Sequence, residues 1–140
     1  MTDTYKILAP DEIKRRLEPL FLDDGLKLVI LFGSTVTGNT HRRSDIDIGL
    51  LFHGEIDILA LTNRVIRLLK SDRVDVVDLN RANPLLKFSA SRNCQVLFEK
   101  TPGIFSTFNS LAFRRYVDTK KLRDAQRSVV MDFLHERGLQ

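Results

Sequence analysis

From Asp45 to Phe52 the residues alternate, with Ile46, Ile48 and Leu50 in one set and Asp45, Asp47 and Gly49 in the other. A period of two predicts a β-strand, with both carboxylates projecting from one side and their Cα atoms roughly 6.5 to 7 Å apart. Any fold that contains this strand must bury its apolar side. It must also supply a cation or hydrogen-bond donors to the acids, because neighbouring carboxylates repel. The pattern predicts helices over the apolar set and carboxylates facing outward. Such a pair can reach one divalent ion, since hard cations such as Mg²⁺ are usually held by one or two carboxylates together with substrate phosphates. Asp-x-Asp is common on solvent-facing strands, so its neighbours decide its meaning.

Upstream, Leu26 to Phe32 is short, branched and apolar, as expected of a buried central strand, and it runs directly into Gly33-Ser34. A glycine there permits a tight turn and close approach of backbone to a ligand, and Ser34 adds a hydroxyl and an amide donor for a phosphate oxygen. The polar stretch that follows, with Gly38, continues to Arg43; it is too broken to be core. It contains no lysine and is therefore no phosphate loop of the Lys-Ser/Thr kind. No Gly-x-Ser-x-Gly pattern marks Ser34 as a hydrolase nucleophile.

The remaining elements follow from periodicity and turn signals. Helices are expected over Glu12 to Leu22, kinked or ended by Pro19, and over Glu55 to Leu69. Strands are expected over Arg73 to Leu79 and Gln95 to Phe98, with a turn and a short helix between them after Pro84. From Phe105 to about Arg137 a long helical pattern allows a break near Asp118-Thr119 and stops at Gly138. The order predicts an α+β fold: a small mixed sheet with helices mainly on one face and a long C-terminal helical segment, about 104–138. In Val74-Asp75-Val76-Val77-Asp78 the acids alternate out of phase, so only one of Asp75 and Asp78 can share the face of Asp45 and Asp47.

Gly33-Ser34, Gly38, Ser44-Asp45 and Asp47 together resemble the signature of the minimal nucleotidyltransferases of the polymerase-beta-like superfamily. That signature reads Gly-Ser, three residues, Gly, five residues, Ser-Asp-x-Asp, and it is complete here. Six identities at ordinary residue frequencies match by chance on the order of once in ten million starting positions. The resemblance implies a polymerase-beta-like fold and a third carboxylate on a following strand, at Asp75. It implies Asp45, Asp47 and Asp75 as catalytic, metal-binding residues for Mg²⁺ or Mn²⁺, and Gly33, Ser34, Ser44 and Arg43 at the ATP site, Ser44 by shaping the turn into the strand. His41 and Arg42 read as exposed loop residues. The second half of the chain matches more loosely, through Val96-Leu97-Phe98-Glu99 and Tyr116-Val117-Asp118-Thr119. Members similar to this chain pair with a HEPN-type ribonuclease toxin and act as its antitoxin by transferring AMP to a tyrosine of that partner.

Composition narrows the alternatives. With 140 residues, 43% of them hydrophobic, the chain is expected to form one domain, 1–140, without staples. That leaves no room for a template-binding domain, so nucleic acid is not expected as the direct substrate. Lys+Arg number 22 against 18 Asp+Glu, giving a net charge of +4, which suits polyanionic ligands but selects none. The basic groups at Lys14 to Arg16, His41 to Arg43 and Arg114 to Arg127 read mostly as solvated faces. Cys94 is the single cysteine and no apolar run is long enough to span a membrane, so a soluble, cytoplasmic protein is expected. Two other functions remain: a small-molecule adenylyltransferase, and a non-catalytic antitoxin that binds its partner by contact.

Overall fold

The computed structural model describes residues 8–33, 36 and 45–138. Ser34, Gly38, His41, Arg42, Arg43 and Ser44, all singled out from the sequence, lie outside the described residues.

Helix α1 spans Pro10–Leu17, with proline in its first turn, where its missing N–H costs nothing. Asp11 and Glu12 sit at its positive end and Lys14, Arg15 and Arg16 at its negative end, while Ile13 and Leu17 are buried. Glu18–Leu22 then tightens into a 3₁₀ turn around Pro19, so the expected long first helix ends where its proline cannot continue it.

Four strands, β1 (Leu26–Phe32), β2 (Ile46–Phe52), β3 (Val74–Asp78) and β4 (Cys94–Glu99), form one sheet in the order β3-β2-β1-β4. β1 is antiparallel to both β2 and β4, whereas β2 and β3 run parallel. The parallel pair is joined by helix α2 (Ile58–Leu69), a crossover of the kind parallel strands require. α2 starts where the Asp57 side chain accepts a hydrogen bond from the Ala60 amide at 3.1 Å, three residues after the sequence signal. Helix α3 (Pro84–Arg92) is capped in the same way by Asn83, which accepts from the Leu86 amide at 2.8 Å.

The expectation of helices mainly on one face is corrected. One apolar layer joins Ile13 and Leu17 of α1 and Val65 and Leu69 of α2 to Val29, Leu31, Ile48 and Leu50 of the sheet. A second layer, on the opposite face, joins Leu28, Ile30, Leu51 and Leu79 to Ala90 of α3 and Phe108 of helix α4 (Ile104–Glu136). Leu28 to Leu31 are fully buried because both faces are covered. Asp47 lies on the face that carries Leu51, so this side faces outward only near the acids and is roofed by α3 and α4 farther along.

α4 runs 33 residues without the expected break. Only Phe108 and Ala112 are buried along it; Tyr116 stacks on Phe88 of α3 with ring centroids 4.0 Å apart, and farther along local pairs add support, Thr119 Oγ1 donating to the Arg115 carbonyl at 2.8 Å and Lys120 pairing with Asp124 at 2.8 Å. Gly138, with φ +63°, follows its end, where the sequence placed the stop signal. Among the described residues no helix is long and apolar enough to cross a membrane.

Candidate active site

β1 ends at Phe32, the register partner of Asp47, so the turn at Gly33 lies beside the start of β2. Gly33 has φ +79°, and a Cβ built there would fall 2.1 Å from Asp47 Oδ2. The sequence reading gave this glycine to the turn and to ligand approach. The structure adds a third reason, because the space a side chain would occupy already holds the Asp47 carboxylate.

Across the other edge of β2, Asp47 is the register partner of Asp75. Neighbouring strands are about 4.8 Å apart and parallel partners point the same way, so the two carboxylates leave the sheet together. Asp45 precedes β2 by one residue and is exposed, on the Asp47 side by the two-residue period. The ladder is pinned here by the Ile46 amide, which donates to the Arg73 carbonyl at 2.9 Å. Asp78 pairs in register with Leu50 instead, and its Oδ1 accepts from the Asn80 amide at 3.0 Å, closing the turn after β3. The two candidates for a third acid are thus on opposite faces, and Asp75 is the one that meets Asp47.

Electrostatics single out Asp47. Burial, then the charge of Asp75, then that of Asp45, push its carboxyl up to about 6. Three acids crowded in this way favour a counter-cation, and the donor set is all oxygen, as hard divalent ions prefer. Among the described residues no three of His, Cys, Asp and Glu stand close enough to hold an ion by themselves. Hard divalent ions are usually held by one or two carboxylates together with substrate phosphates.

The family model for polymerase beta nucleotidyltransferases matches residues 16–102, which include β1, both acid-bearing strands and β4. The chain belongs to this family. The nucleotidyltransferase is 27% identical over 126 residues to the protein adenylyltransferase MntA of Aphanizomenon flos-aquae, covering 81% of this chain and 84% of that one. A crystal structure of a toxin-antitoxin with AMP-PNP contains a chain 30% identical, superposing with a TM-score of 0.74 over 89% of the nucleotidyltransferase and 99% of that chain. A tri-AMPylated Shewanella oneidensis HEPN toxin in complex with an MNT antitoxin contains one 26% identical, with a TM-score of 0.68 over 85% and 96% of the two chains. The agreement extends over nearly the whole of those chains and so reaches into the second half that the sequence motifs matched loosely.

Proposed function

We propose that this nucleotidyltransferase transfers AMP from ATP to a tyrosine of a HEPN-type toxin and thereby acts as its antitoxin. The observation that carries the chemistry is the register of Asp47 with Asp75, with Asp45 on the same side and the Gly33 turn alongside. The acceptor class rests on the likeness to relatives described as protein adenylyltransferases and to complexes of toxin with antitoxin.

In this reading Asp45, Asp47 and Asp75 hold Mg²⁺ or Mn²⁺, which when bound neutralises the triphosphate and makes the acceptor hydroxyl more acidic. Asp45 and Asp47, next to the Gly33 turn, hold the donor side. Asp75 lies on edge strand β3 and is exposed, so it faces the approach of a second macromolecule and can accept a hydrogen bond from the incoming tyrosine hydroxyl. The tyrosine oxygen bonds to the α-phosphorus, the bond from that phosphorus to pyrophosphate breaks in line, and the hydroxyl proton passes to solvent. Gly33, Ser34, Ser44 and Arg43 serve the phosphates and the turn that places them. In this reading a folded partner brings its own hydroxyl and closes the site from outside.

Incubating the toxin partner with the chain, Mg²⁺ and ATP labelled at the α-phosphate, then weighing the intact partner, tests this. The partner should gain AMP on a tyrosine, and Asp47→Asn should abolish the gain even where the proteins still associate. Equal silencing of the toxin by Asp47→Asn with no mass gain would establish the contact-only antitoxin. Label on a small metabolite would establish the small-molecule enzyme.

A further inference from the structure

On the face of the sheet that carries Asp47, but at the other end of β2, a cleft of 540 Å³ opens between the sheet, α3 and the first half of α4. Leu51, in its lining, is about 13 Å along the strand from Asp47. The floor is apolar: Leu111 is 44% exposed, and Phe108, nearly buried, packs in the same layer as the fully buried Leu79. Three cations line it from three different elements: Lys27 of β1, Lys87 of α3 and Arg115 of α4. Among the described residues none of the three engages its side chain in a hydrogen bond or an ion pair.

This arrangement works against the apo protein. Burial and then the charge of Arg115 lower the pKa of Lys87, and only Asp78 opposes them. Asp78 already has one oxygen committed to the Asn80 amide. The like charges of Lys87 and Arg115 beside an apolar floor are relieved by a bound anion, which Lys27 on the same lining can also reach. The volume falls in the range of clefts that enclose small organic ligands, roughly 300 to 1,000 Å³. A bare inorganic ion would leave the floor uncovered. An anion with a flat apolar body satisfies both halves.

We propose that this cleft is a second ligand site, separate from the three acids, that takes a mononucleotide with its phosphate on Lys27, Lys87 and Arg115 and its base against Leu111 and Phe108. Because the protein supplies the positive charge, binding here needs no divalent ion, in contrast to the acid site.

AMP titrated into the full chain in excess EDTA, followed by amide chemical shifts, should bind saturably and shift residues of α3 and the first half of α4. Lys87→Gln with Arg115→Gln should weaken it by about tenfold or more, Lys27→Gln should weaken it independently, and Asp47→Asn should leave it unchanged. Inorganic phosphate should compete at least about ten times more weakly than AMP. No saturable binding by the folded wild-type chain would overturn the site, as would loss with Asp47→Asn but not with the cation variants. Phosphate competing as well as AMP would overturn the assignment to a nucleotide. Because metal is absent throughout, none of these results depends on the transferase reaction.

Discussion

Asp47 and Asp75, 28 positions apart in the chain, are register partners on the parallel strands β2 and β3, and the charge of Asp75 adds to burial in strengthening the hold of Asp47 on a proton. Asp78 lies on the opposite face, in register with Leu50. Asp75→Asn should therefore reduce AMP transfer on the order of a hundredfold or more without unfolding the chain. Asp78→Asn keeps an oxygen that can accept from the Asn80 amide, and should stay within about threefold of wild type. Transfer rates for the two folded variants, measured side by side, check the assignment; a reversed order would refute it.

The burial of Asp47, together with the repulsion from its neighbours, should also appear in stability. The Asp47 carboxyl is raised to about 6 in the folded chain, against about 3.9 in an unfolded one. Between these values the folded chain keeps a proton that the unfolded chain has lost. The contribution of this group to stability is therefore full below about pH 4 and is lost as pH rises through about 6. In EDTA, the melting temperature of wild type relative to Asp47→Asn should fall between pH 4.5 and pH 7.5, on the order of the pKa gap. Adding Mg²⁺ at the higher pH should restore it in wild type alone. A difference that does not change with pH would mean that burial and the neighbouring acids do not raise the Asp47 carboxyl.

Gly33 and Gly54 both have positive φ, +79° and +89°, and so share the backbone cost of a side chain. They differ in surroundings: a Cβ at Gly33 meets Asp47 Oδ2 at 2.1 Å, whereas one at Gly54 meets nothing within 4 Å. Alanine at either position should cost about 1 kcal/mol of stability. Only Gly33→Ala should also displace the Asp47 carboxylate and lower transfer, by about tenfold or more. Thermal melts paired with transfer rates separate the two effects, and equal transfer by both variants would count against the contact.

Gly49 is where the acid-bearing face passes under the second apolar layer. A Cβ there meets Leu79 Cδ2 at 2.9 Å and Ile30 Cγ1 at 3.0 Å, both in well-packed surroundings. Gly49→Ala should destabilise the chain by about 1 to 3 kcal/mol, with transfer by the folded fraction changing less than in Gly33→Ala. Denaturant unfolding checks the first half and transfer per folded molecule the second. A neutral substitution would show that Leu79 can move aside.

Much of the fold was legible in the sequence because the signals are local. The two-residue period of Ile46 to Leu50 specified a strand and put Asp45 and Asp47 on one side, and Pro84, Pro19 and Gly138 marked ends of helices by their own backbone chemistry. The Gly-Ser to Asp-x-Asp spacing was enough to point to the family. Tertiary structure decided the rest. Periodicity separated Asp75 from Asp78 but could not choose between them, because register between β2 and β3 is set by a crossover helix and a shared core, not by either strand alone. The covering of the acid-bearing face by α3 and α4, and the continuity of α4 through Asp118 and Thr119, likewise follow from long-range packing and exposed side-chain pairs. Lys27, Lys87 and Arg115 carry no common sequence signal at all. They line one cleft because a strand, a short helix and a long helix converge on one end of the sheet, an arrangement that no local periodicity encodes.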